Sequence, residues 1–180
     1  MSTSGAIGLL IGLGFAVVLI AGIIGVAYYV LFSYPLYQLA CRAGMENAWL
    51  AWIPVARMYV LCMLSQDDFV LFGQWKFPER SYGFVAYVVM WVLYLFIGGV
   101  PIIGGLLKVL CSVAIIILVW RMSYDFIRTY GNSGSSTEIM VLSIFCAIFG
   151  IVLLVVLWIY RNNEPNVVVD TTYDNYNNMQ

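Results

Sequence analysis

The chain has 180 residues, 63% of them hydrophobic and 9% charged, with a formal net charge of −1 and no histidine. A soluble domain carries roughly a quarter of its residues charged, and nucleic-acid binding needs a basic face to neutralise phosphates, so neither reading fits. The missing histidine also removes the commonest general base, metal ligand and physiological pH switch.

Three stretches, residues 6–34, 82–120 and 139–160, are apolar for a bilayer's thickness or more. A crossing helix needs about 20 such residues, and within the hydrocarbon every backbone N–H and C=O has to be paired inside the protein. The pattern predicts an all-α polytopic membrane helical bundle, with four transmembrane helices plus one interfacial or re-entrant helix. Residues 1–161 form a single transmembrane domain on this reading, and 162–180 a disordered polar tail. The cell membrane is the expected location, with the lipid bilayer as the first partner.

The first crossing opens without positive charge, and its apolar run is far longer than the 7–15 residues of a signal-peptide core. It reads as a helix retained in the mature protein. Ser4, Gly8, Gly12 and Ala16 recur every four residues, and Ala21 and Gly25 repeat the spacing. Small residues at this spacing let helix backbones approach closely in lipid. The stripe serves either packing against the chain's own helices or self-association.

Past Tyr34 the helix continues beyond the membrane, with a kink at Pro35, and Gln38, Arg42 and Glu46 follow on one face. Residues 48–64 are apolar but short and carry Pro54 and Arg57. Two tryptophans and a tyrosine suit the headgroup boundary, so an interfacial or re-entrant segment fits better than a full span. Residues 65–80 read as a polar connection. Within 98–105, glycines and Pro101 break the long apolar run into two helices. The second of these ends with Arg121, Asp125 and Arg128 on one face. Residues 131–136 form a flexible loop, and Thr137 with Glu138 reads as the polar start of the last crossing.

Orientation follows from the basic residues. If residues 48–64 do not cross, Arg42, Arg57, Lys76, Arg80, Arg121 and Arg128 share one side and only Arg161 lies opposite. Lys108 snorkels outward. The positive-inside rule then predicts four crossings with both termini extracytoplasmic.

The run from Asn47 to Tyr59, with its Ala-Trp, Ile-Pro and Tyr elements, resembles the signature of a family of small prokaryotic multi-pass membrane proteins of unknown function. Pro101-Ile-Ile-Gly-Gly105 and the stretch from Ser123 to Gly131 match further parts of that pattern. The similarity spans residues 36–160, and Arg57 stands where many relatives carry Asn. It implies a fold and a membrane location but no activity. Some relatives are labelled signal peptidases, yet no Ser–Lys pair stands in a suitable setting here.

Chemistry-bearing motifs are sparse. Asp67 and Asp68 are adjacent but lack a second acidic cluster, so they read as a solvated loop pair. No phosphate-binding Gly-rich loop, HExxH or GxSxG is present. Cys111 and Cys146 lie in apolar runs and read as core residues. Cys41 and Cys62 fall near a membrane surface, where packing is favoured over acylation. The sequence therefore predicts no enzyme, cofactor or metal. It predicts a polar collar of Gln38, Arg42, Glu46, Arg57, Arg121, Asp125 and Arg128 that braces helix ends, docks a partner or forms the vestibule of a pore. The expected function is that of a structural, accessory or assembly subunit, partnered by itself or by another membrane protein. The alternative is a small oligomeric channel or transporter subunit.

Overall fold

The first helix, α1, runs unbroken from Thr3 to Arg42, about 60 Å at 1.5 Å per residue. The computed structural model describes residues 3–65, 68–71, 75–97, 103–131 and 134–165, with the backbone alone for residues 3–11 and 103. Asp67, most of the expected glycine turn (98–102) and the tail from 166 onward lie outside the described residues. Pro35 lies inside α1 and cannot donate to the carbonyl of Leu31, one turn back. The indole Nε1 of Trp158 donates to that carbonyl instead, at 2.7 Å. The helix closes on Gly44 at φ +70°, where Gly44 N–H reaches the Cys41 carbonyl and Met45 N–H that of Ala40. This Schellman closure requires a left-handed residue, which glycine supplies without strain. Glu46 consequently lies outside α1 and does not extend the Gln38–Arg42 face.

A 3-10 helix, Ala48–Trp52, and a short helix α2, Ala56–Met63, follow. Eight residues of α2 rise about 12 Å, far less than a hydrocarbon core. Two strands, β1 (Val70–Leu71) and β2 (Trp75–Lys76), pair antiparallel, so the expected polar connection holds a small β-ribbon. The buried ring of Phe69 beside it fills the space against Gly83, where an added Cβ would stand 2.9 Å from the ring.

Helix α3 spans Ser81–Phe96 and α4 spans Ile103–Tyr130. They pack against each other, and Lys108 lies 5.5 Å from the Tyr94 ring near their shared far end. Helix α5, Ser136–Ile148, is capped by Ser135, whose hydroxyl accepts from Glu138 N–H at 3.4 Å. The cap thus falls two residues before Thr137, as the first member of a Ser-x-x-Glu pattern.

The stretch 139–160 is not one helix. Phe149 adopts an extended conformation, and α6, Gly150–Tyr160, starts beyond it. The chain then returns to the end of α4. Tyr160 lies beside Phe126, and Asn163 Nδ2 donates to the Tyr130 carbonyl at 2.8 Å. Residues 161–165 therefore sit at the same end as Arg42, Arg121 and Arg128, against the expectation that they lie opposite. The break is local: a one-residue gap in the helical ladder turns the apolar run back on itself.

The described architecture is all-helical apart from the ribbon. Two helices are long and apolar enough to cross a membrane, with mean hydropathy 2.5 over Gly12–Arg42 and 2.1 over Gly104–Tyr130. The packed core gathers at one end. Phe32, Leu36 and Leu39 of α1, Leu61 of α2, Met122 and Phe126 of α4, and Leu157 of α6 are all buried there. At the other end large apolar side chains are bare, with Phe96 80% and Leu106 67% exposed.

Candidate functional site

The packed end is built around one carboxylate. Asp125 is fully buried on α4, one turn before the helix end. An ion in so apolar a place has to be paired, and two arginines serve it. The Arg80 guanidinium approaches Oδ2 at 3.0 Å and that of Arg121, one helical turn back, approaches Oδ1 at 2.8 Å. The Arg121 contact is Coulombic rather than an aligned hydrogen bond, because Oδ1 accepts no hydrogen bond among the described residues. Arg80 also donates through Nε to the Cys62 carbonyl and faces the Phe69 ring at 5.8 Å. It thereby ties α2 and the ribbon to α4 at the entry to α3.

A hydroxyl network completes this centre. Thr129 Oγ1 donates to the Asp125 carbonyl at 2.8 Å, and the Ser65 hydroxyl lies 2.7 Å from Thr129 Oγ1. Tyr130 donates to the Leu64 carbonyl at 3.3 Å. These bonds cover the exit of α2 with the last turn of α4. The Cys62 thiol donates to the Arg80 carbonyl. Burial pushes its pKa up to about 11; Arg80 opposes this and Asp125 adds to it. The thiol is therefore unreactive at neutral pH.

The expected collar residues separate on folding. Arg121 and Asp125 meet, as their spacing implies, while Arg128 on the next turn is exposed. Gln38 is half-buried with Oε1 unpartnered. Arg42 lines a cavity of about 530 Å³ with Tyr130, Asn163 and Glu164. Arg57 lies apart, 4.5 Å over the Phe32 ring. Cys111 and Cys146 are buried as expected, and Cys62 joins them, whereas Cys41 is exposed.

Sequence reasoning missed Arg80, Ser65, Thr129, Trp158 and Asn163. Thr129 was within reach, since it stands four residues after Asp125 on one helical face. Arg80 and Ser65 reach Asp125 across 45 and 60 residues, a separation for which no local pattern exists. Among the described residues no cluster of His, Cys, Asp or Glu is arranged to hold a metal.

The stripe on α1 presents a different geometry. From Gly12 to Ala27 the helix is exposed on every face. A Cβ added at Gly12, Gly14, Gly22 or Gly25 would meet no atom within 4 Å. Ala16 and Ala21 are likewise exposed, and the side-chain surroundings of Gly8 lie outside the described residues. The described part of the stripe therefore packs on none of the chain's own described helices.

Comparison with known proteins found no matching family model, curated protein or solved structure. What the site can do follows from its geometry alone. The Arg80–Asp125–Arg121 centre is a brace: its charges face one another, and they lock the ends of three segments together.

Proposed function

We propose that this chain is a polytopic membrane protein acting as a structural, accessory or assembly subunit without a catalytic site of its own. The observation that carries the reading is the free half of α1. A helix of this hydropathy, bare on all faces, has lipid or another protein as its natural surroundings. Its glycines are positioned for close approach by a helix from outside the chain. The resemblance of residues 36–160 to a family of small multi-pass membrane proteins supports the same placement.

The fold also favours a revised topology. Helix α1 and the α3–α4 hairpin cross, while α2 and the α5–α6 hairpin enter from the braced end without crossing. Arg42, Arg57, Lys76, Arg80, Arg121, Arg128 and Arg161 then share the braced side and Lys108 lies near the other. The positive-inside rule makes the braced side cytoplasmic. The N-terminus is extracytoplasmic on this reading and the segment after α6 is cytoplasmic.

The test is the mass of the complex extracted in native lipid, for the wild type and for Gly12→Ile and Gly25→Ile. Neither glycine touches the rest of the described chain, so the substitutions leave the bundle intact. A complex that they dissociate supports the assembly role. A bare monomer, indifferent to both changes, overturns it. The break at Phe149 keeps one second reading, a channel or transporter subunit, since interrupted helices line substrate paths in such proteins. A homo-oligomer that conducts ions in planar bilayers would favour it.

A further inference from the structure

Arg57 is one of the cations that the brace does not use. It forms no ion pair among the described residues, and its buried Nε has no hydrogen-bond partner. Its guanidinium lies 4.5 Å over the ring of Phe32, ten residues before the end of α1 and so about 15 Å along the helix from Arg42. On the other side of α2, Tyr59 meets Phe84 of α3 edge-on at 5.4 Å. Among the described residues, helices α1 and α3 each pack on α2 and make no extensive contact with each other. Arg57, near the start of α2, thus stands against α1 on a helix that α3 packs on as well.

The depth of this site is set by aromatic residues. Tyr34 stacks on Trp158, Tyr37 meets Trp52, and Tyr28 tilts against Phe32. Together they lie within about two and a half turns of α1. Such aromatic residues mark the boundary between headgroups and acyl chains, which is the level of lipid phosphates. An arginine there, with a buried Nε that finds no partner among the described residues, needs an anion to complete it. A planar guanidinium suits phosphate oxygens, which accept two parallel hydrogen bonds.

We infer that Arg57 holds the phosphate of a phospholipid that enters from the bilayer between α1 and α3, beneath α2. The Phe32 ring backs the guanidinium. The apolar flanks of the two helices take the acyl chains. The site rests on the bilayer placement proposed above and not on the assembly role.

Native mass spectrometry of the full chain in detergent tests it, with phosphatidylglycerol, the matching diacylglycerol and glycerol 3-phosphate added separately. The wild type should retain one phosphatidylglycerol, and Arg57→Gln should retain it about tenfold more weakly, the loss of one charged hydrogen-bonding partner. Arg161→Gln, a basic residue of the same end, should bind as the wild type does. Equal retention by Arg57→Gln overturns the site. Equal binding of diacylglycerol shows an apolar groove instead, and displacement by glycerol 3-phosphate alone shows a free-anion site; either result overturns the lipid assignment. Should Arg57→Gln not fold, a photoactivatable phosphatidylglycerol on the wild type decides. Adducts on the peptide holding Phe32 support the site, and adducts only elsewhere overturn it. A chain released from membranes by alkaline carbonate would instead defeat the bilayer placement itself.

Discussion

A single buried carboxylate sets the energetics at the scale of residues. Asp125 is the shared counter-ion of two guanidinium groups held against it, those of Arg80 and Arg121. Removing one member of such a buried cluster leaves charge uncompensated, at a cost of about 3–5 kcal/mol. Asp125→Leu is therefore expected to lower stability by about that amount in detergent unfolding. Arg80→Met should cost less, because Arg121 still serves the carboxylate. Cys62 offers a pH signature of the same centre. Its thiol titrates at about 11 in the folded chain, against an ordinary 9.0. The unfolded thiol therefore loses its proton first. Stability from this group is full below pH 9 and falls as pH rises toward 11, by about 2 kcal/mol at pH 10.5. Comparing melting temperatures at pH 8 and 10.5 for the wild type and Cys62→Ala isolates the effect: the variant should lose less on raising the pH. Arg121 with Asp125 was legible in the sequence as an i, i+4 pair. Arg80 was not, since the approach of α3 to the last turns of α4 is what brings it there.

Among the elements, α1 shows how a sequence irregularity is absorbed by a distant partner. Pro35 deprives the Leu31 carbonyl of its helical donor, and Trp158 of α6 supplies the replacement. An unsatisfied carbonyl in an apolar setting costs about 1–3 kcal/mol. Trp158→Phe should thus destabilise the wild type by that order beyond its packing loss. In a Pro35→Ala background the backbone N–H regained at that position restores the helical bond, and the same tryptophan substitution should cost markedly less. A double-mutant cycle in thermal unfolding reads the difference; additive effects would show that the indole bond contributes nothing. Pro35 was visible as a kink candidate from the sequence, but its compensation was not. The partner lies 127 residues from the carbonyl, and tryptophan at an apolar helix end reads equally well as a membrane-surface anchor. The single last helix expected over 139–160 failed for a related reason. Residues 139–160 are uniformly apolar, and hydropathy carries no record of an extended residue at Phe149.

Taken whole, the molecule is a packed, braced head with apolar helices that open away from it. Polar groups and buried side chains gather where α1, α2, α4 and α6 meet, and the bare apolar surface lies on the free half of α1 and the far ends of α3 and α4. This asymmetry makes a topological prediction. In a chain freed of its native cysteines, single cysteines placed at Gly44 and Glu164 should react with a membrane-impermeant maleimide from the same side of sealed vesicles, and one at Ser4 from the other. Labelling of positions 44 and 164 from opposite sides would restore a fourth crossing.

The sequence by itself determined the long apolar runs, the helical class and the small residues of α1, because hydropathy and four-residue spacing are local properties of the chain. It also determined that the basic residues cluster, since they are few and fall between apolar runs. Only the tertiary structure decided which charges pair, that α5 and α6 fold back on each other, and that Arg57 stands apart from the brace. Those outcomes depend on distances between segments far apart in the chain, which are set when whole helices pack and have no counterpart in any window of the sequence.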